Sequence, residues 1–591
     1  MCGIVGALSL DGSSAVSGDL VARMNEVLRY RGPDGGGVEV RGPVGLGNRR
    51  LAIVDRAQGA QPMSNPEGTH WITYNGEVYN YRDLRAELEG RGYRFRTRSD
   101  TEVVLRAYEA WGKACVERFN GQFAFAVWDG PAGELFLARD HLGIAPLHFA
   151  QADGLFLFAS EAKALFAHPG VDGRIDPVAV AESLLCGTLF RGRTLFRGVR
   201  AVEPGTRMVV SARGAATETY WDMPLRDTRG TTEAEYAERL LPLLEDALRL
   251  RLADEVPWGL MLSGGTDSST LVLMASGMSP DPVQTFTIDF ENPWKGPDTD
   301  LHCARLLAQR LGTRHHELLV RPDDYYDFLR DVSWHVERPF NKGAVTMYLL
   351  YRRIKEHATV VVTGEGADEL FAGYVGSTGL GLDEVVATGA ISRFPWAAYW
   401  EDTARLFSAD FHREVRPAEL FGDRLADSLR AADGPDPLNN ALYLYSKHFL
   451  LELLELHDRT SLAFGVEARL PFIDPRFVEL LSPMPSDLKY RDGQTKYLFK
   501  RLIRGRLPAE IVDRAKTPMP IPRDPRTVQA QLALARELVL GPGARTRAYY
   551  DAGRVEEFLD GRGAFEGVGM LTMWKVSMYL VTLELLQRSF P

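Results

Sequence analysis

The sequence predicts two domains in tandem: an α+β layered domain over residues 1–210, then an α/β doubly wound domain over residues 211–591 that ends in a helical part. Three observations predict it. At 591 residues the chain exceeds the size at which a single hydrophobic core stops growing. Up to about residue 210, short apolar and aromatic runs are separated by glycine-rich turns. Beyond it, apolar runs alternate with helical stretches, which is the rhythm of a parallel sheet.

In the first domain, 122–129 (QFAFAVWD), 134–140 (ELFLARD) and 155–160 (LFLFAS) read as strands. Two helical patterns interrupt them, over 17–29 and over 81–92, the latter from the Leu84, Leu88 spacing. The segment 202–222 mixes turn formers with one strand-like run and reads as the domain boundary. In the second domain 258–262, 283–289 and 359–363 are the strand candidates. From about residue 438 the spacing is mostly helical, and 458–474 (DRTSLAFGVEARLPFID) reads as helix.

With 45% hydrophobic and 25% charged residues, the composition is that of an ordinary globular protein. A net charge of -10 argues against a nucleic-acid surface and for small-molecule partners. Cys2, Cys115, Cys186 and Cys303 lie far apart without metal-ligand spacing, so a reducing compartment is expected rather than a disulfide or zinc site. No basic leader and no run of about 18 apolar residues is present, so a cytoplasmic chain with no membrane partner is the expectation. Arginine outnumbers lysine about five to one, so a lysine at a given place is not a default choice.

Cys2 follows the initiator methionine. Removal of Met1 would put a thiol and a free α-amine on one residue, a nucleophile with a built-in base. Around it stand MCGIVG at 1–6, RYRGPDGGG at 29–37, NRRLAIVD at 48–55, YNGEVYN at 74–80, RSDTEVVL at 98–105, RDHLGIAPL at 139–147 and FASEAKAL at 158–165. In this order the motifs resemble the class II glutamine amidotransferases, across nearly the whole first domain. The resemblance implies the N-terminal-nucleophile αββα sandwich and Cys2 as the nucleophile that attacks the glutamine amide. It also implies an oxyanion site from the Asn75 side chain and the Gly76 N–H, with Arg50 on the glutamine carboxylate, Asp100 on its ammonium, and Glu77 lining the substrate. Such donors suit a tetrahedral oxyanion, and a forked guanidinium suits a carboxylate. Asn48 and Ala145 depart from the histidine and lysine more usual at those positions.

In the second domain the strand 258–262 runs into Ser263-Gly264-Gly265-Thr266-Asp267-Ser268-Ser269. Paired glycines let backbone N–H groups approach phosphate, and the following helix adds its positive end. No GK[ST] follows, so this is not a Walker loop. Together with VVVTGEGADELFAGY at 360–374, YWD at 220–222 and the segment 458–474, the loop resembles the synthetase domain of glutamine-hydrolysing asparagine synthetases (asparagine synthetase B family). The resemblance then covers essentially the whole chain.

That resemblance implies a PP-loop fold of the adenine nucleotide α-hydrolase type and ATP as cosubstrate, cleaved to AMP and pyrophosphate. Ser263, Gly264, Gly265, Ser268 and Gly364 would line the pyrophosphate, and Leu262 and Ile288 the adenine. Asp267 and Asp368 would hold Mg2+, and Glu365 would take the proton from attacking ammonia. Lys516 would neutralise phosphate charge, assisted by Lys496. The family often forms dimers, so a homodimer is an expectation of the resemblance alone. A glutaminase joined to an adenylating domain also implies an internal passage for ammonia.

The partners implied are glutamine, ATP and a carboxylic-acid acceptor. Aspartate, giving asparagine, is the conventional acceptor. Asn341-Lys342-Gly343, Thr266 and Leu462 depart from the usual pattern, which leaves open a larger specialised-metabolite acid, with Lys342 as the candidate acceptor contact. Intramolecular amide-forming β-lactam synthetases share both domains but lose the N-terminal cysteine. The presence of Cys2, Arg50, Asn75 and Asp100 argues against them.

Overall fold

A computed structural model describes residues 1–226, 230–253, 255–291, 300–340, 343–376, 382–392, 394, 403–516 and 525–590. Alternation along single strands builds the first domain in four layers. One six-stranded sheet contains β1 (Gly3–Ser9), β2 (Gly35–Arg41), β3 (Val44–Arg50), β8 (His148–Ala152), β9 (Leu155–Ala159) and β10 (Arg200–Ala201). The other contains β4 (Met63–Ser64), β5 (His70–Val78), β6 (Gly121–Asp129), β7 (Glu134–Arg139), β11 (Thr206–Ser211) and β12 (Gly214–Thr219). The strand orders are β10-β8-β9-β1-β3-β2 and β12-β11-β7-β6-β5-β4.

On β6, Ala124, Ala126 and Trp128 face Ile4, Leu8 and Leu46 of the first sheet, making the layer between the sheets. Phe123, Phe125 and Val127, one residue out of phase, pack outward on α2 (Tyr81–Gly90) and α3 (Asp100–Trp111) through Leu84, Leu88, Val103 and Val104. On the far side, Val5 and Ala7 of β1 pack under Leu20, Val21 and Met24 of α1 (Gly18–Val27), whose N-terminus is capped by Ser17. This is the αββα arrangement.

The second domain is built on a five-stranded parallel sheet in the order β15-β14-β13-β16-β17, from β13 (Trp258–Met261), β14 (Gln284–Phe290), β15 (Arg314–Val320), β16 (Val360–Val362) and β17 (Glu467–Arg469). The chain steps outward from β13 through β14 to β15, then returns to the other side of β13 as β16. The crevice at the carboxyl ends of β13 and β16 is therefore the switch point where such sheets bind ligands. Helices close the C-terminal part, ending in Met570–Ser589. Among the described residues no helix is long and apolar enough to cross a membrane. All four cysteines are buried, and none is in a disulfide among the described residues.

The structure corrects two readings. The boundary at residue 210 cuts a hairpin, because β11 pairs with β12 as far as Thr219. The stretch 458–474 is not one helix: the helix ends at Leu462, and β17 follows within it. A Glu-Ala-Arg strand gives no apolar run, since its polar side chains are buried in ion pairs rather than exposed. The pair Asn75-Gly76 lies inside β5, opposite Ala124 and Phe123.

Candidate active sites

The first site is a pocket of about 340 Å3, counted out to solvent, lined by Cys2, Arg50, Tyr74, Gly76, Glu77, Asp100 and Glu467 among others. Strand β1 carries Cys2 into it. The Cys2 amide donates to Asn75 Oδ1 at 2.6 Å, and its carbonyl accepts from Arg31 Nε at 3.1 Å. With Asn75 turned this way, its Nδ2 is a buried donor with no hydrogen-bond partner among the described residues. Beside it Gly76 has φ +149, and a Cβ there would lie 2.1 Å from the Gln122 carbonyl oxygen. Only glycine fits this strand position. An orphan amide and an open backbone thus stand next to the thiol.

Arg50 lies at the mouth, its guanidinium donating to the Val54, Asp55 and Arg56 carbonyls at 3.1, 2.7 and 3.0 Å. Asp100 accepts from the Tyr74 hydroxyl at 2.8 Å and the Val78 N–H at 3.3 Å, and burial raises its carboxyl. The carboxylate of Glu77 is engaged by Arg469 of β17, so it reaches the pocket as part of an ion pair and not as a free group. Burial pushes the Cys2 thiol up, against the pull of the α-amine and of Arg50. In the chain as numbered that amine is on Met1, buried and paired with Glu467. Asn48 and Ala145 serve the scaffold: Asn48 Nδ2 donates to Gln61 Oε1 at 3.2 Å and the Ala145 N–H to Asp140 Oδ2 at 2.8 Å.

The second site lies at the carboxyl ends of β13 and β16. The loop after β13 is drawn tight by hydroxyls: the Ser263 N–H donates to Ser268 Oγ at 3.1 Å, and the Ser263 and Ser268 oxygens are 3.0 Å apart. Gly264 has φ +73, and a Cβ there would lie 2.4 Å from the Asp300 carbonyl oxygen. Gly265 is the N-cap of the helix Thr266–Met278. Gly364 packs against Asp267 and the Ser268 amide, so the two glycine-rich turns touch. Leu262, the residue after β13, and Ile288 of β14 are both buried.

Four charges meet here. Lys496 contacts both Asp267 and Asp368, the latter at 2.6 Å, and Lys516 also pairs with Asp368. Burial would raise Asp368, but the two lysines overcome it and hold its carboxyl below the ordinary range. Burial raises Asp267, which leans on one lysine. Among the described residues no trio of His, Cys, Asp or Glu could hold a metal alone. However, Asp267 Oδ1 is buried without a hydrogen-bond partner, so two carboxylates with a spare oxygen fit a magnesium ion that takes its other ligands from phosphate and water. Glu365 lies beyond this cluster, its Oε2 3.2 Å from His457 Nε2. Lys342 lies outside the described residues.

Sequence reasoning missed the residues that join the sites. Arg31, wholly buried, holds Asp458 through two bonds of 2.7 and 2.9 Å and Glu161 at 2.6 Å. Arg459 pairs with Glu161 at 3.0 Å and Glu337 at 3.1 Å. All but Glu337 lay in the quoted motifs RYRGPD, FASEAKAL and DRTS, but nothing local assigned their partners. Thr266 donates to the Ile511 carbonyl at 3.2 Å, and Leu462 is fully buried where the domains meet. Both departures therefore have scaffold roles.

Known proteins agree with this division. The family model described as a glutamine amidotransferase domain matches residues 1–221, and that of asparagine synthase matches residues 239–588. The chain is 32% identical to asparagine synthetase [glutamine-hydrolyzing] 3 of Bacillus subtilis, over 88% of this chain and 87% of the relative. It is 28% identical to asparagine synthetase [glutamine-hydrolyzing] 1 of the same organism, over 98% and 96%. To asparagine synthetase B [glutamine-hydrolyzing] of Escherichia coli it is 27% identical, over 87% and 81%.

Proposed function

Because the chain belongs to the asparagine synthase family, as a glutamine-dependent amidotransferase, we propose that it makes asparagine from aspartate with ATP cleaved to AMP and pyrophosphate. The observation that carries the reading is the cluster Asp267, Asp368, Lys496 and Lys516 at the carboxyl ends of β13 and β16. It is a preorganised site for a polyphosphate losing its terminal pair of phosphates.

In the first pocket Arg50 leaves its loop carbonyls for the glutamine carboxylate, and Asp100 takes the ammonium. Cys2 Sγ attacks the side-chain amide carbon. The oxyanion is met by Asn75 Nδ2 and the Gly76 N–H, ammonia leaves, and water then frees glutamate from the thioester. A thiol raised by burial needs a base at hand. Loss of Met1 supplies one as the α-amine of Cys2, placed where the Cys2 amide now meets Asn75 Oδ1.

In the second site the aspartate side-chain carboxylate attacks the α-phosphorus, pyrophosphate leaves, and an acyl-adenylate forms. Asp267 and Asp368 would hold magnesium, which when bound neutralises phosphate charge. Lys496 and Lys516 would then turn from the carboxylates to the phosphate oxygens. Ammonia attacks the acyl carbon and gives a proton to Glu365, and AMP departs with the broken carbon–oxygen bond.

The test is to incubate the protein with glutamine, Mg-ATP and aspartate while measuring asparagine, AMP and pyrophosphate, with Cys2→Ala in parallel. Equimolar asparagine and pyrophosphate, lost with glutamine but kept with ammonium in Cys2→Ala, is the expected result. Glutamate release with no aspartate-dependent pyrophosphate would overturn aspartate as the acceptor and direct the search to another carboxylic acid.

A further inference from the structure

Behind Glu365 stands a pair of side chains that the reaction scheme has not used. His457, on the helix Leu451–Leu462, is 3% exposed and places Nε2 3.2 Å from Glu365 Oε2. Its other ring nitrogen, Nδ1, is 2.6 Å from the hydroxyl of Tyr351, on the helix Ala344–Ile354. Tyr351 is fully buried. The ring is thus gripped at both nitrogens, inside the protein, by groups from two other elements.

The chemistry of the three groups fixes the direction of the bonds. A carboxylate only accepts, so the proton must be on Nε2 for the 3.2 Å contact to be a hydrogen bond. A neutral ring then has a lone pair on Nδ1, which accepts the phenolic proton. Burial pushes the Tyr351 hydroxyl well above its usual range, with Glu365 adding to the effect, so the phenol keeps that proton to donate. The order is Tyr351 O–H to Nδ1, then Nε2–H to Glu365 Oε2. A hydrogen bond to one ring nitrogen setting the tautomer at the other is the usual way a histidine is given a single role.

We propose that His457, held by Tyr351, is a positioning residue that ties down Glu365 Oε2 and leaves Oε1 turned to the incoming ammonia. This rests on the reading of Glu365 as the acceptor of the ammonia proton. When the nitrogen–carbon bond forms and AMP leaves, that proton goes to the free oxygen of Glu365. The imidazole neither gains nor loses a proton in the step. Without it the carboxylate can rotate toward Lys516, which already feels its charge, and be lost as a base.

The test has two arms on the full chain. In the first, the 12 histidines are labelled with 15N, and the ring of His457 is identified by the signal lost in His457→Gln. The expected spectrum is that of a neutral ring protonated at Nε2. A ring protonated at Nδ1 overturns the proposal, and this arm needs no knowledge of the acceptor. In the second, amide formation from ammonium, aspartate and Mg-ATP is measured beside glutamine hydrolysis. His457→Leu should cut the amide kcat by about tenfold or more, a fraction of what a general base supplies, with KM for aspartate and ATP and the glutaminase rate unchanged. His457→Gln, whose amide N–H can stand near the Nε2 position, should recover most of it. Wild-type rates in His457→Leu, or an equal fall in glutaminase rate, overturn the proposal. Glu365→Gln is the control: if it still forms amide at the wild-type rate, the reading of Glu365 fails first. If it is inactive while His457→Leu is not, only the positioning role fails.

Discussion

Gly373 lies in the FAGY turn and carries no functional group, yet its substitution should disable the second site more cleanly than most charge changes. An added Cβ would lie 1.9 Å from Asp368 Oδ1 and 2.7 Å from Lys496 Cε. Ordinary contact begins near 3.4 Å, so the carboxylate would have to retreat by about 1.5 Å, the difference between 3.4 and 1.9 Å. It has little freedom to do so. Asp368 is buried, both of its oxygens are held by lysines, and its own carbonyl accepts the Gly373 N–H at 2.9 Å. A misplacement of about 1 Å can cost about 100-fold in rate. Gly373→Ala should therefore lower kcat for aspartate-dependent pyrophosphate release by about 100-fold, or about 2.7 kcal/mol of barrier. The extra methyl should cost about 1–3 kcal/mol of stability, seen as a modest fall in Tm. Glutamine hydrolysis in the same preparation should be unchanged. Wild-type pyrophosphate release would refute the claim that Asp368 must stand where it does. An equal loss of both activities would refute the claim that the effect is local.

Three further outcomes follow from the same geometry. Asn75→Ala removes the orphan Nδ2 and should lower glutaminase kcat by about 100- to 1000-fold, while ammonium-dependent synthesis continues; a glutaminase rate within a few-fold of wild type would exclude the oxyanion role. Arg31→Met leaves the buried Asp458 without its bidentate partner and should lower Tm far more than a surface substitution, since breaking a buried pair costs about 3–5 kcal/mol; thermal melts of Arg31→Met against Arg31→Met/Asp458→Leu check it, the double variant regaining part of the loss. Lys489 is buried, bonded to Asn439 Oδ1 at 2.6 Å and the Ser482 carbonyl at 3.2 Å, and burial lowers it to about 7. Its folded pKa lies below the unfolded value of about 10.4, so between these limits the unfolded chain binds more protons and folding gains stability as pH rises. Against Lys489→Met, the wild-type Tm should therefore improve from pH 7 to pH 9, and a parallel pair of curves would contradict it.

What could be read from the sequence was what depends on short stretches of backbone. The strands β6, β7 and β9 announced themselves by apolar runs, and the serine-glycine turn by its spacing after β13. Cys2, Arg50, Asn75, Gly76 and Asp100, quoted from four separate segments, do line or adjoin one pocket. Lys496 and Lys516, which the family resemblance implied, do converge on Asp368. The rest was illegible for a common reason. β17 has charged residues at both ends of three, and its identity as a strand depends on Val360–Val362 beside it and on Glu77 from the other domain. Gly373 matters only because Asp368 and Lys496 close on it from both sides. His457 differs from any buried histidine only through Tyr351 and Glu365, distant in sequence. Local patterns encode elements; these roles are encoded by pairs.

Those pairs also explain how two sites can act as one machine. The contact between the domains is not apolar alone: Arg31, Lys163 and Arg459 interlock with Glu161, Glu337 and Asp458, all buried, three basic groups against three carboxylates. Such ion pairs add little net stability over apolar packing, but each fixes the angle and distance of its partner. The consequence is geometric. Through Asp458 and Arg31, the helix Leu451–Leu462 is tied to the carbonyl of Cys2, and through the preceding residue, His457, to Glu365. On the other flank β17 hands Glu467 to the first pocket and pairs Arg469 with its Glu77, while its backbone pairs with β16, the strand that runs into Gly364 and Glu365. Cys2, the proposed nucleophile, and Glu365, the proposed proton acceptor, are thus anchored to the same two elements. A domain shift that displaced one would strain buried charges at the other, so the relative placement of the two chemistries is held by the interface itself.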